Sequence, residues 1–128
     1  MKILVTGGSG YLGSILTRKL LAKNHKVRIL DNFLFGKESI KEIQKNENLE
    51  IIEGDIRDLA AVSKAIKGVD AVIHLASIVG TQSADLDPKT SMEVNFMATR
   101  NIAELCKLHK IKQFIFASTC SVYGAQPD

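Results

Sequence analysis

The chain opens with a strand, a glycine-rich turn and a helix in immediate succession. Met1-Lys2-Ile3-Leu4-Val5-Thr6 is a short apolar run, Gly7-Gly8-Ser9-Gly10-Tyr11-Leu12-Gly13 follows at once, and a helical pattern then starts. A buried strand that runs through such a turn into a helix leaves unpaired backbone N–H groups and the positive end of the helix dipole aimed at one place. That arrangement grips the pyrophosphate of a dinucleotide. Gly7 is expected to permit the tight turn, Gly10 to let backbone approach phosphate, and Gly13 to let the helix pack against the sheet.

The remainder alternates strand-like and helix-like segments, the pattern of a parallel sheet covered on both faces. Strands are predicted at about Lys2 to Thr6, Lys26 to Leu30, Leu49 to Glu53, Asp70 to Leu75 and Lys112 to Ala117. The first helix spans about Tyr11 to Lys23, with Leu12, Ile15, Leu16 and Leu20 on one stripe. A looser helical stretch covers Lys37 to Lys45. Asp58 caps the next helix, and residues 76 to 86 form a loop. Asp87-Pro88 reads as N-cap and first residue of a long helix ending near His109. Right-handed crossovers then predict a three-layer α/β fold: a doubly wound parallel Rossmann-type sheet of order 3-2-1-4-5. Ligands of such sheets sit outside the carboxyl ends of the strands, so the turns there are where chemistry is sought.

Size and composition narrow the class. The 128 residues suffice for one domain with its own core, and 45% hydrophobic with 24% charged residues is ordinary for a soluble globular chain. No segment reaches the roughly 18 consecutive apolar residues of a membrane span. The N-terminus has no secretory layout, so a cytoplasmic location is expected. A net charge of +3, with lysines spread along the chain, gives no nucleic-acid footprint. Cys106 and Cys120 form no CxxC pair and read as reduced thiols. His25, His74 and His109 have no partners at metal-ligand spacing, and no metal is expected. His74 reads as a strand-end residue bonded locally.

Five turns together carry a family resemblance. They are Thr6 to Gly13, Asp31-Asn32, Gly54-Asp55-Ile56-Arg57-Asp58, His74-Leu75-Ala76-Ser77, and Ser118-Thr119-Cys120-Ser121-Val122-Tyr123-Gly124. The chain resembles the extended branch of the short-chain dehydrogenase/reductases, the NAD-dependent epimerase/dehydratase family, over essentially its whole length. The resemblance implies NAD as cofactor and a nucleotide sugar as substrate. It has Tyr11 and Leu12 add backbone N–H groups to the pyrophosphate. Asp31 would accept hydrogen bonds from the adenosine ribose, at close to the expected spacing of about 20 residues from the glycines, and its charge would repel a 2′-phosphate. Asn32 would assist at the ribose. Asp55 and Ile56 would meet the adenine, while Leu75, Ala76 and Ser77 would pass under the ribose and nicotinamide. Asn95, on one helical stripe with Ala98, Ile102, Leu105 and Cys106, reads as a clamp on a neighbouring turn, and the resemblance also puts it at the active-site wall by the cofactor, two readings that are compatible.

Thr119 takes the Ser/Thr position whose hydroxyl bonds the reacting substrate oxygen in this family. There a sugar hydroxyl is oxidised by hydride transfer to NAD, and the keto product is epimerised, eliminated or reduced. A Tyr and a Lys four residues on move the proton, the Lys lowering the phenol's pKa. Neither Tyr11 nor Tyr123 has a Lys at that spacing. The chain is therefore expected to be the N-terminal, NAD(P)-binding part of a longer enzyme, an incomplete Rossmann domain over residues 1–128 that is inactive alone. A non-catalytic dinucleotide-binding module or sensor is the alternative, and a dehydrogenase of a non-sugar substrate a third reading. The apolar strand from Phe114 to Phe116 near a sheet edge is expected to favour homo-oligomers.

Overall fold

The computed structural model describes residues 1–79 and 87–124. Stretch 80–86 of the loop and residues 125–128 lie outside the described residues. Five parallel strands, β1 (Lys2–Thr6), β2 (Lys26–Asp31), β3 (Leu49–Glu53), β4 (Ala71–His74) and β5 (Gln113–Phe116), form one sheet in the order β3-β2-β1-β4-β5. The predicted topology is the observed one.

Side chains alternate across the sheet and build two cores. On one face Leu4, Leu30 and Val72 pack against Val62, Ala65 and Ile66 of α2 (Leu59–Ile66) and Ile102 and Cys106 further along. On the other, Ile3, Val5, Val27 and Ile29 meet Leu21 of α1 (Tyr11–Ala22) and Ile40 of a 3-10 turn (Glu38–Ile43). Burial raises the Cys106 thiol to about 11, so it stays protonated at neutral pH.

Two expectations need correction. The sheet-facing residues of α1 are Gly13, Ser14, Thr17 and Leu21, while Leu12 and Ile15 are exposed. Small residues let the helix axis approach the glycine turn, and Leu12 and Ile15 turn outward while Leu20 of the predicted stripe still packs on the core. The predicted long helix is also divided. It runs as α3 (Pro88–Met92), a π-helical turn (Glu93–Ala98) and α4 (Thr99–Leu108). Its start is as read: Asp87 Oδ1 accepts from Thr90 N at 3.0 Å, with Pro88 in the first turn. Asp58 likewise caps α2 through Ala60 N at 2.8 Å.

A cation is built into the sheet. Arg28 is only 7% exposed. Its Nη1 donates to the carbonyls of Ala65 at 2.6 Å and Lys67 at 2.8 Å, both at the end of α2. Glu50, its register partner on β3, lies 2.9 Å from Arg28 Nε and 3.0 Å from Lys2 Nζ. Burial would raise the Glu50 carboxyl, but hydrogen bonds from Arg28 and Lys2 hold it below its ordinary value. Arg28 thus ends a helix whose last carbonyls would otherwise be stranded. Replacing it by Met should lower the unfolding free energy by about 1–3 kcal/mol, measured by urea denaturation, because the buried Ala65 carbonyl and the half-buried Lys67 carbonyl lose their donor.

Candidate functional site

The five predicted turns emerge at one edge, since parallel strands put all their carboxyl ends on one side. Gly7 has φ +71°, and a Cβ there would meet Ala76 N at 2.8 Å. Gly7 N donates to Leu30 O at 2.9 Å and Gly10 N to Gly7 O at 3.1 Å, so the turn is fastened to β2 and to itself. A Cβ on Gly13 would fall on the Gly7 carbonyl. Gly8, which sequence reasoning did not single out, packs just as closely, since its Cβ would lie 2.5 Å from Ile29 Cγ1.

The turn ends as the start of α1. Gly10 is the N-cap and offers no side-chain acceptor, and no acidic residue occupies the first turn. The first-turn N–H groups, of Tyr11, Leu12 and Gly13, have no carbonyl four residues back within the helix to receive them. Tyr11 and Leu12 are 88% and 57% exposed, so their bulk stands clear of the turn. A Cβ on Gly10 would meet nothing within 4 Å but the Gly7 carbonyl oxygen, at 3.3 Å. The cradle suits a phosphate.

Asp31 stands beside it at the end of β2. Its Oδ2 accepts from Ser9 N and its Oδ1 from Phe33 N, each at 2.9 Å. A carboxylate has about four lone-pair sites, so both oxygens keep capacity for a further donor. Asn32 turns back on its own loop, with Oδ1 accepting from Leu34 N at 3.1 Å. Ser39 Oγ donates to Ser9 O at 2.5 Å, and Arg18 Nη2 donates to Ser39 O at 2.6 Å. Neither Ser39 nor Arg18 belongs to a recognisable motif.

After β3, Asp55 is committed. Its Oδ1 accepts from Arg57 N at 2.8 Å and Nε at 3.0 Å, and its Oδ2 from Arg57 Nη2 at 2.7 Å. The hydrogen bonds from Arg57 hold its carboxyl below the ordinary aspartate value. Arg57 Nη1 also reaches Glu93 Oε2 at 3.4 Å, joining this turn to the π-helical turn. The Ile56 side chain is buried in the core, which leaves only its backbone toward the groove.

Past β4, Leu75 packs with the α1-side core and Ala76 with the opposite one, while Ser77 is exposed. Asn95 clamps the next residue from both sides: Oδ1 accepts from Ile78 N and Nδ2 donates to Ile78 O, both at 2.8 Å. The clamp reading of Asn95 is the geometry observed. Thr119 lies beyond β5 and is exposed.

His74 is 1% exposed and tied at both nitrogens: Nδ1 lies 2.6 Å from Thr6 Oγ1 and Nε2 2.9 Å from Thr99 Oγ1. Phe114 and Phe116 stack on the ring at centroid distances of 6.4 and 5.8 Å. Burial lowers its pKa from 6.5 to about 4. The unfolded chain therefore takes up a proton that the folded one refuses as pH falls from 6.5 to about 4. Stability from this group is whole above pH 6.5 and drains away toward pH 4, by about 3 kcal/mol in all. Urea unfolding at pH 7 and pH 4.5 should show this loss in the wild type. The non-titrating His74→Asn variant should lose less over the same interval.

Among the described residues no cluster of three or more His, Cys, Asp or Glu could hold a metal, and no helix is long and apolar enough to cross a membrane. The profile of the NAD dependent epimerase/dehydratase family matches residues 3–128. A UDP-glucose 4-epimerase of Klebsiella pneumoniae is 36% identical over 132 residues, which is 99% of this chain and 95% of that protein. A D-erythronate dehydrogenase of Haemophilus influenzae is 38% identical over 98% of this chain and 40% of its own length. The crystal structure of a Thermus thermophilus UDP-glucose 4-epimerase in complex with NAD superposes with a TM-score of 0.89 at 32% identity, covering 100% of this chain and 41% of that one. The chain thus spans about two fifths of the Haemophilus and Thermus relatives. With this match along nearly its whole length, the chain belongs to the NAD-dependent epimerase/dehydratase family.

Proposed function

We propose that these residues form the NAD-binding part of an enzyme that oxidises and remodels a nucleotide sugar. One observation carries the reading most directly: the Asp31 carboxylate is bonded to Ser9 N, inside the glycine turn, at 2.9 Å. A ribose acceptor and a phosphate cradle are thereby held as neighbours, as a dinucleotide requires. The Klebsiella and Thermus relatives are UDP-glucose 4-epimerases, and the Thermus structure holds NAD.

In this reading the amides of Gly7, Gly10, Tyr11, Leu12 and Gly13 take the pyrophosphate. Asp31 and Asn32 take the adenosine ribose. The Ile56 backbone and the Asp55–Arg57 pair border the adenine. Leu75, Ala76 and Ser77 line the floor, with Asn95 holding the wall behind them. Bound NAD would supply a hydride acceptor. The Thr119 hydroxyl would hold the substrate oxygen, and the family's Tyr and Lys would carry its proton. A polypeptide of these 128 residues, without that pair, should bind NAD and turn over no sugar. A cytoplasmic setting belongs to the same proposal. The Haemophilus relative, a D-erythronate dehydrogenase, favours a second reading, a dehydrogenase of a non-sugar substrate, which substrate assays of a protein carrying the Tyr–Lys pair would separate.

Titration calorimetry should give binding of NAD at least about tenfold tighter than NADP, a gap of roughly 1.4 kcal/mol. Asp31→Asn should narrow that ratio by removing the charge that repels a 2′-phosphate. Equal affinity of the wild type for both would refute the assignment of Asp31. Ile115 and Phe116 on edge strand β5 are 53% and 48% exposed, which favours pairing with a second copy. Sedimentation velocity should then report a dimer or larger at micromolar concentration, and a monomer throughout would count against it.

A further inference from the structure

The two bonds of His74 belong to a longer circuit whose proton directions can be assigned. Thr99 Oγ1 lies 2.9 Å from Asn95 O, and a carbonyl only accepts. The single hydroxyl proton of Thr99 is therefore spent on Asn95, and toward His74 Nε2 this oxygen must accept. At the other end, Leu75 N and Ala76 N lie 3.2 and 3.3 Å from Thr6 Oγ1, and amides only donate. The Thr6 oxygen receives these, and its proton is left for His74 Nδ1. Each group then has one consistent role: Leu75 and Ala76 amides to Thr6, Thr6 to Nδ1, Nε2–H to Thr99, Thr99 to Asn95. The opposite tautomer would leave Nε2 facing an oxygen with no proton to give, and would leave the Thr6 proton without this acceptor.

The circuit also closes on the segment where it began. Asn95 grips Ile78 through both its N–H and its carbonyl, while Thr6 receives Leu75 and Ala76. Residues 75 to 78 are thus held at both ends by two side chains, Thr6 of β1 and Asn95 of the π-helical turn, which His74 of β4 and Thr99 of α4 join to one another. That segment packs against the glycine turn, where a Cβ on Gly7 would lie 2.8 Å from Ala76 N. Thr6, Thr99, Phe114 and Phe116, which surround the ring, carry no charge, so nothing in this shell favours an imidazolium.

We propose that His74, as the neutral tautomer protonated on Nε2, is a positioning residue that fixes the 75–78 wall of the dinucleotide groove through Thr6 and Thr99. It acts as neither base nor ligand, because both ring nitrogens are occupied. The proposal rests on the dinucleotide-binding reading above.

Two measurements on the full chain test it. Long-range proton–nitrogen correlation spectra of ¹⁵N-labelled protein at pH 7 should show His74 protonated at Nε2 and bare at Nδ1. A proton on Nδ1, or averaged tautomers, would overturn the circuit. In NAD titrations, Thr99→Val should weaken binding about three- to tenfold, the effect of one lost hydrogen bond, and Thr99→Ser should restore it. Thr99→Val should also mix the His74 tautomers, which general loosening of the fold would not do selectively. Wild-type affinity in Thr99→Val would overturn the positioning role. Should that variant fail to fold, Thr6→Ser and Thr6→Val make the same comparison from the other end of the ring. A wild type that binds no NAD would sink the dinucleotide reading and the affinity claim with it, while the tautomer spectrum still judges the circuit separately.

Discussion

The turn after β1 and the end of β4 meet backbone to backbone. With Gly7 at φ +71°, its Cα passes the Ala76 backbone so tightly that no side chain fits between them. Neighbouring parallel strands leave a groove between their outgoing turns, and this contact is the groove's base. It dictates much of what surrounds it. The turn must leave β1 at once, and only four residues separate β1 from α1. That start crowds Gly13 onto the Gly7 carbonyl and presents small residues to the sheet. The outward rotation of Leu12 and Ile15 is a consequence of that packing.

Charge is treated differently at the two ends of the sheet. At the amino ends Arg28 pairs with Glu50 and donates to the α2 carbonyls. At the carboxyl ends the two aspartates diverge. Asp55 gives both oxygens to Arg57, which makes it a brace between its own turn and Glu93. Asp31 accepts only two backbone amides and keeps lone pairs to spare. Alike in the sequence, the two differ in capacity because one has a guanidinium two residues on.

Strand positions and sheet order could be read from alternation and turn residues, since burial on both faces writes near-continuous apolar runs into central parallel strands. The N-caps at Asp58 and Asp87 could be read because a cap is a local arrangement. What escaped depends on residues far apart in sequence. Arg28 in a buried strand makes sense only once α2 ends over it. The facing direction of α1 followed the glycine turn rather than hydrophobicity, and Leu12 misled the period. His74 could be placed as a locally bonded strand end, but Thr6 and Thr99 carry no mark that would join them to it. The glycines and Asp31 could be picked out as a candidate site because their spacing matches the dinucleotide-binding pattern; Gly8, pressed on Ile29, has no such pattern of its own.

The π-helical turn is where the predicted long helix departs from regular α geometry. Within it the Thr99 hydroxyl takes the Asn95 carbonyl at 2.9 Å, a back-bond to the fourth residue before it that a carbonyl's second lone pair can accept in any helix. The same turn carries Glu93 to Arg57 and the Asn95 amide to Ile78. Asn95 and Thr99, four residues apart, would share a face of a regular helix as well. The π turn joins their contacts to that of Glu93, and single-turn π bulges of this kind recur at functional sites.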